Sequence, residues 1–339
     1  MNKARNQISV VVIARNEEAH LARCLRAIQA AVYEIAGAEI VVVDSASTDR
    51  TVDIALALGV RVISLRPDYE LSPSAGRFTG FHHTSGELLM FVDADTVLDR
   101  HWLSAAISAF AQPDVAAVTG WLDDIDEQGR ALPYVGHRAA EVTEVSYLRG
   151  IGMYRRAALG QAGPFNPWLV AEEEAELALR LRAAGWKLLQ LPQQMGRHER
   201  GAQVQAEIIR SWRLGRVTGL GRTLRYAVQA GNGWRFCCER LLPTMCFAGI
   251  SGVLVGGVIY AAWSGAAAGW WGAAAGWLVW MLAIAIRKRS LGSPVEYVVR
   301  HLLDCYGVVV GMLLTTLRDA DEYPREVIEQ RPCARQLAS

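Results

Sequence analysis

Residues 88–102 read LLMFVDADTVLDRHW, an apolar run that stops at two aspartates, Asp93 and Asp95, one residue apart. A short run of bulky apolar residues with a polar boundary is the pattern of a strand buried on both faces. Its end puts two carboxylates where the strand leaves the sheet. The same pattern occurs in ISVVVIA (8–14), EIVVVD (39–44) and VRVIS (60–64), and helical periodicity fills 17–31, 51–58 and 74–84 between the runs. Strands alternating with helices specify an α/β fold with a mostly parallel, Rossmann-like sheet flanked by helices.

Ligands of such sheets collect outside the carboxyl ends of the strands. The residues that leave strands there are Asn16 and Glu17, the run Asp44 to Asp49, and Asp93 to Asp95, so three polar clusters share one edge. Mg²⁺ and Mn²⁺ take carboxylate oxygens and bridge them to phosphates. Asp93 and Asp95 therefore suit a cation beside a diphosphate, and solvated turn aspartates are the competing reading. Asp44, at a strand tip, can accept hydrogen bonds from a base or ribose, with Arg15 and Glu17 on the neighbouring loop. Ser47 and Asp49 read equally well as caps of the helix that follows.

Residues 113–200 hold the strand-like VAAVTGWL (115–122), the polar turn DDIDEQGR (123–130), the Gly-rich RGIGMYRR (149–156) and AEEEAELALRLRAAGWKLLQLP (171–192). The last is a helix closed by Gly185 and followed by a short strand. Glu173 and Glu174 begin that helix, where a rigidly aimed carboxylate can take a proton from an attacking hydroxyl. The alternative is a solvated acidic first turn favoured by the helix dipole. His198 follows the strand on the same edge, as a third metal ligand or a surface histidine.

The chain has 339 residues, more than one typical core, and a net charge of +1 that gives no argument for nucleic acid. Six cysteines show neither a CxxC pair nor zinc spacing, so no disulfide framework is expected. From Leu241 to Ile286 there is no charged residue. As one helix that stretch would run roughly 69 Å, about twice a bilayer core, so it must fold back. Trp263, Trp270 and Trp271 around WSGAAAGWW (263–271) mark an interfacial turn between spans at 241–262 and 268–286. Arg235 and Arg240 before the hairpin, and RKR (287–289) after it, put both ends in the cytoplasm by the positive-inside rule. Arg210, Arg213, Arg216, Arg222 and Arg225 form a basic helical face suited to anionic lipid. The apolar run after the hairpin contains Asp304 and is expected to lie in the interface at 298–317. The resulting division is 1–205 catalytic, 206–240 basic juxtamembrane helices, 241–286 transmembrane hairpin, and 287–339 interfacial helix and tail.

In order, VVIARNEE (11–18), VVVDSASTDRT (41–51), GRFTGFHHTSGE (76–87), LLMFVDADT (88–96) and EEAELALRLRAAG (173–185) resemble the signatures of family 2 glycosyltransferases of the GT-A fold, of the membrane-anchored bacterial type. The resemblance covers roughly residues 8–200. It implies transfer of a hexose-like sugar from a UDP- or GDP-linked donor, with Mg²⁺ or Mn²⁺, as in polysaccharide biosynthesis. It assigns nucleotide-sugar contacts to Ile13, Arg15, Glu17, Asp44, Arg77, Asp93 and Ala94, with Gly76 and Gly80 beside Arg77 near the diphosphate. The metal falls to Asp95, the motif's second aspartate, with His198 beside it. The catalytic base falls to Glu174, with Glu173 as alternate because the EEE run permits a one-residue shift.

Three positions depart from the family pattern: glutamate replaces the usual aspartate at 174, and Ile13 and Phe78 stand where proline and asparagine are usual. The implied function is inverting transfer to a hydroxyl of a lipid-linked glycan on the cytoplasmic face of the bacterial inner membrane, with anionic lipids as partners and no nucleic acid. A polyprenyl-phosphate glycosyltransferase and a catalytically silent nucleotide-sugar-binding scaffold are the alternatives. The chain lacks the Gln-x-x-Arg-Trp motif of processive synthases.

Overall fold

β1 (Ile8–Ala14) lies between β2 (Ala38–Asp44) and β4 (Leu88–Asp93), parallel to both, and β3 (Arg61–Ser64) extends the parallel set beside β2. The computed structural model describes residues 7–33, 35, 37–126, 130–132, 138–148, 150–199, 215–265, 267–288 and 293–332. Register sets the rim: Ala14 stands opposite Asp44, and Ile13 opposite Asp93. The strand-end carboxylates therefore flank the same end of β1.

Beyond β4 the sheet becomes mixed. β8 (Gly152–Arg155) runs antiparallel to β4 and to β6 (Val115–Ile125). β6 is parallel to β9 (Lys187–Glu199), which also pairs antiparallel with β5 (Thr96–Leu98) and β7 (Thr143–Glu144). The Gly-rich 149–156 stretch thus supplies a strand, and the short strand expected after Gly185 is 13 residues long.

The helices α1 (Leu21–Val32), α2 (Thr51–Ala57), α3 (Pro73–His83) and α4 (Arg100–Ala109) flank the sheet, with α5 (Arg156–Ala162) and α6 (Glu173–Ala183) following β8. α1 begins four residues later than its periodicity suggests. The amides of Asn16, Glu17 and Glu18 are taken by Ser47 Oγ, Thr51 Oγ1 and Asp49 Oδ2, and Asn16 sits at φ 56°. Those bonds tie the loop after β1 to the loop after β2 and keep it from joining the helix. Asp49 Oδ1 accepts from the Thr51 amide at 2.9 Å, while the residue at the N-cap of α2 is Arg50, which makes no side-chain cap bond.

α3 lies very close to β1. A Cβ at Gly76 would come within 3.0 Å of Ile13 Cγ2, and one at Gly80 would overlap the fully buried Val11. The helix begins with Ser72, whose Oγ accepts from the Ala75 amide at 3.0 Å.

The chain divides into two compact units, residues 1–209 with 318–339, and residues 210–317. In the first, the returning segment adds β10 (Ile328–Gln330) antiparallel to β3. The second contains α7 (Arg216–Gln229), α8 (Leu242–Ser264), α9 (Ala267–Lys288) and α10 (Ser293–Leu314), with a π-helical turn at Cys237–Leu241 leading into α8. Arg210 and Arg213 of the expected basic face lie outside the described residues.

Among the described residues, two helices are long and apolar enough to cross a membrane, Gly233–Ser264 and Val295–Leu314. Val253, Ile259, Trp263, Leu313 and Leu314 are exposed on them. The second covers residues 298–314 of the stretch expected to lie in the interface. It gains length because the helix starts at Ser293, well before the apolar run, and Asp304 is met by Thr244 Oγ1 at 3.3 Å.

Gly→Ala within a helix normally stabilises, by up to about 1 kcal/mol. At position 80 the close approach of β1 reverses the sign: Gly80→Ala is expected to cost about 1–3 kcal/mol, the usual penalty of overpacking, read as a lower denaturant midpoint.

Candidate active site

Arg77 projects from α3 into the first unit and is 2% exposed. Its Nη1 donates to Glu173 Oε1 at 2.9 Å and lies 3.2 Å from Glu174 Oε1, while Nη2 donates to Asp93 Oδ1 at 3.2 Å. One guanidinium thus gathers carboxylates from the end of β4 and the first turn of α6. Its face lies over the Phe165 ring, centroid 5.3 Å away. Burial alone would lower the guanidinium's pKa, but Glu174, Asp93 and Glu173 outweigh it, and the group is held above its ordinary value.

The two glutamates differ. The Glu173 side chain is 8% exposed, whereas that of Glu174 is 18% exposed and keeps an open side. Burial, and then the Glu173 carboxylate, push the Glu174 acid up to about 8 against the pull of Arg77. The residue before them, Glu172, is held at φ 59°, a left-handed conformation costly for a side chain with a Cβ. Arg180 anchors the same helix, donating to Glu176 Oε1 at 2.7 Å and to the carbonyls of Ala162 and Gly163, each at 2.6 Å.

A second cluster lies at Asp95. His198 Nε2 is 3.0 Å from Asp95 Oδ2, and His198 Nδ1 is 3.1 Å from Asp124 Oδ1. Asp95 Oδ1 is buried and has no hydrogen-bond partner in the protein. An orphaned anionic oxygen is costly unless something outside the protein pairs with it, and hard cations bind such atoms. Among the described residues no three His, Cys, Asp or Glu side chains converge as a preformed metal cage. The donor set fits an ion held by one or two protein ligands and completed by phosphate oxygens and water, the usual arrangement for Mg²⁺.

The remaining expected site residues fall along the same rim. Asp44 is 2% exposed and accepts from the Ser47 amide through both oxygens, at 3.2 and 3.3 Å. Ile13 is partly exposed between Asp44 and Asp93, and its carbonyl accepts from the Ala94 amide at 3.1 Å. Arg15 is exposed and Glu17 half-buried on the loop tied to residues 47–51. Gly76 and Gly80 face β1, where they set the approach of α3.

Two residues near these clusters escape a reading of the sequence. Asp124 stands in a polar run that reads as a turn, yet β6 continues through it. Tyr154 looks like an ordinary core aromatic, edge-on to Phe91 and Phe165. Burial, and then the charge of Glu174, push its hydroxyl's pKa up, which places it within the field of the cluster.

The mixed sheet with its acidic rim defines an α/β fold of the GT-A glycosyltransferase type. Residues 9–165 match the family model "Glycosyl transferase family 2". Glycosyltransferase AglE of Haloferax volcanii is 26% identical over 191 residues, covering 53% of this chain and 63% of that protein. The 4,4'-diaponeurosporenoate glycosyltransferase of Staphylococcus haemolyticus is 33% identical over 110 residues, 31% of this chain and 28% of that protein. The matches thus span less than two thirds of these relatives.

Two solved structures share the fold. The mannosyltransferase PcManGT from Pyrobaculum calidifontis, in complex with GDP-Man and Mn2+, superposes with a TM-score of 0.63 at 18% identity, covering 92% of this chain and 88% of that one. S. aureus TarS 1-349 in complex with UDP gives 0.52 at 18% identity, covering 65% and 63%.

Removing Arg77 leaves buried carboxylates without a counter-charge. Arg77→Met should cost about 3–5 kcal/mol near pH 8, by denaturant unfolding. The sign with pH follows from Glu174. A carboxyl whose folded pKa is raised above its unfolded value contributes stability that is full below the unfolded pKa and lost as pH rises through the folded one. The variant's deficit should therefore shrink as pH is lowered from about 8.

Proposed function

We propose that the protein is an inverting, divalent-metal-dependent glycosyltransferase. It moves a sugar from a nucleotide diphosphate donor to a hydroxyl of a lipid-linked glycan at the cytoplasmic face of a bacterial inner membrane. The observation that carries the reading is the clustering on Arg77 of Asp93, Glu173 and Glu174, with Asp95 and its orphaned oxygen two residues beyond Asp93.

Glu174 is the general base. It is the more open of the pair, and its raised pKa brings it near the range where proton transfer is efficient. Glu173, more buried and accepting from Arg77 at 2.9 Å, fixes the guanidinium instead. Asp95, with His198 beside it, would hold Mg²⁺ or Mn²⁺, which when bound offsets the negative charge developing on the leaving nucleoside diphosphate. Asp44 and the linked loops after β1 and β2 receive the base and ribose, with Arg15, Glu17, Ile13, Asp93 and Ala94 lining the approach.

The acceptor hydroxyl loses its proton to Glu174 as its oxygen attacks the anomeric carbon, and the bond to the diphosphate breaks on the opposite face, inverting the configuration. Positioning and charge stabilisation do most of the work in such an oxocarbenium-like transition state. Arg77 takes a different part from the one family resemblance suggests: closed on three carboxylates at 2% exposure, it orders the base rather than reaching for the diphosphate.

The donor class rests on the resemblance, together with neighbours solved with GDP-Man and with UDP. Attachment to the membrane rests on the two apolar helices and on the basic residues that precede them in sequence.

The test offers labelled UDP-N-acetylglucosamine, UDP-glucose and GDP-mannose in turn to the purified full-length chain with Mn²⁺ and a bacterial lipid extract. Wild type should label a lipid product or release nucleoside diphosphate, and Asp95→Asn and Glu174→Gln should each lose at least about 100-fold in kcat. Turnover unchanged in Glu174→Gln would remove the base assignment, and transfer undiminished by chelation would remove the metal. Because the base must be deprotonated, kcat should rise with pH and level off near the raised Glu174 value of about 8.

A further inference from the structure

The segment that returns to the first unit after α10 is mostly exposed, and among its described residues 318–332 one side chain is fully buried. Tyr323 is 1% exposed and among the largest fully buried side chains of the protein. It leaves a short 3-10 turn, Ala320–Glu322, shaped by a reciprocal cap: Asp319 Oδ1 accepts from the Asp321 amide at 3.1 Å, and Glu322 Oε1 from the Asp319 amide at 3.3 Å. Five residues after Tyr323, β10 begins its pairing with β3, closing the strap along the sheet edge.

Tyr323 lands between the two elements that carry the Arg77 cluster. Its ring meets Trp168 edge-on at 5.2 Å, Phe78 at 5.9 Å and Tyr69 at 6.0 Å, and its hydroxyl donates to the Glu70 carbonyl at 3.0 Å. Phe78 adjoins Arg77 on α3, and Trp168 lies on the loop that runs into Glu172 and the base-bearing turn of α6. The strap grips that loop from the far side as well, since Trp168 Nε1 donates to the Asp319 carbonyl at 2.8 Å and the Arg318 guanidinium lies 4.8 Å over the indole. The loop in turn receives hydrogen bonds from the start of α3, Ser74 Oγ to the Asn166 carbonyl at 2.6 Å and Ser72 Oγ to the Pro167 carbonyl at 3.1 Å.

We propose that Tyr323 is a positioning residue for the transfer reaction, the knob of a returning strap that holds the 166–172 loop against α3 and so fixes Glu173 and Glu174 on Arg77. The strained Glu172 needs such support, because a residue held in the left-handed region persists only where its surroundings over-determine it. The role rests on the reading of Glu174 as the base. The grip itself does not, and the two can fail separately.

Hydrogen exchange on the full-length chain in detergent tests the grip without a substrate. In Tyr323→Ala the amides of 166–178 and 73–79 should exchange at least about tenfold faster than in wild type, while β1, β2 and β4 keep their protection. Kinetics with whichever of the three labelled sugar nucleotides is turned over should show kcat reduced about 10–100-fold at unchanged donor KM, the signature of a misplaced group rather than a lost binding contact. Tyr323→Phe, which keeps the ring and loses one hydrogen bond, should stay within about fivefold of wild type. If the alanine variant does not fold, Tyr323→Leu takes its place with the same expectations. Protection unchanged over 166–178, protection lost evenly across the sheet, or a donor KM that rises while kcat holds would each overturn the proposal. A Glu174→Gln variant with wild-type turnover would instead remove the function reading and leave the exchange result standing.

Discussion

A single buried cation organises the acidic cluster of the first unit. The Arg77 guanidinium is sealed from solvent and closes on carboxylates from the end of β4 and the start of α6. Without it these buried carboxylates would lie together with no counter-charge, and desolvation of unpaired charge costs several kcal/mol per ion. The structure supplies the position by bringing α3 against β1 through Gly76 and Gly80, where any larger side chain would push the helix outward. The electrostatics of the site therefore depend on a backbone approach made several residues away from the charges.

That arrangement separates two kinds of acid along one rim. Glu173 and Asp93 are committed to Arg77 by hydrogen bonds, and Glu174 shares the same nitrogen but keeps an open side and a raised pKa. Across the rim Asp95 meets His198, whose other ring nitrogen meets Asp124, and one Asp95 oxygen is left unpaired. The two acids differ in their surroundings, Glu174 with its raised pKa beside Arg77 and Asp95 with its unpaired oxygen beside His198. The interlocked loops after β1 and β2, with Asn16 and Ala46 both at positive φ, complete the edge from the Asp44 side.

Much of this was legible in the sequence. The parallel strands from Ile8 to Asp93 appear because buried strands are written as uninterrupted β-branched runs, and the family segment follows the same residues. The acidic rim followed from where those runs stop. What escaped depends on long-range pairing. Asp124 joins the site only because β6 continues through a polar stretch to pair with β9, and local polarity reads as a turn. Arg77 reads as a phosphate contact from its motif, while its burial among carboxylates is a tertiary fact. The return of residues 318–332 to the sheet rests on one buried tyrosine together with the pairing of β10 with β3, and nothing in the periodicity of that segment announces it. In the second unit, the helix from Ser293 to Leu314 is longer than its apolar core suggests, because the flanking polar residues extend it.

A crystal structure of the chain with Mn²⁺ and UDP, repeated with GDP, tests the central claim most directly, because manganese is located by its own anomalous signal. The ion should be bonded to Asp95 at about 2.0–2.3 Å, the range of hard-cation oxygen contacts. Arg77 should remain closed on Glu173, Glu174 and Asp93. An ion bound away from Asp95, or Arg77 swung out onto the diphosphate with the glutamates dispersed, would contradict the account.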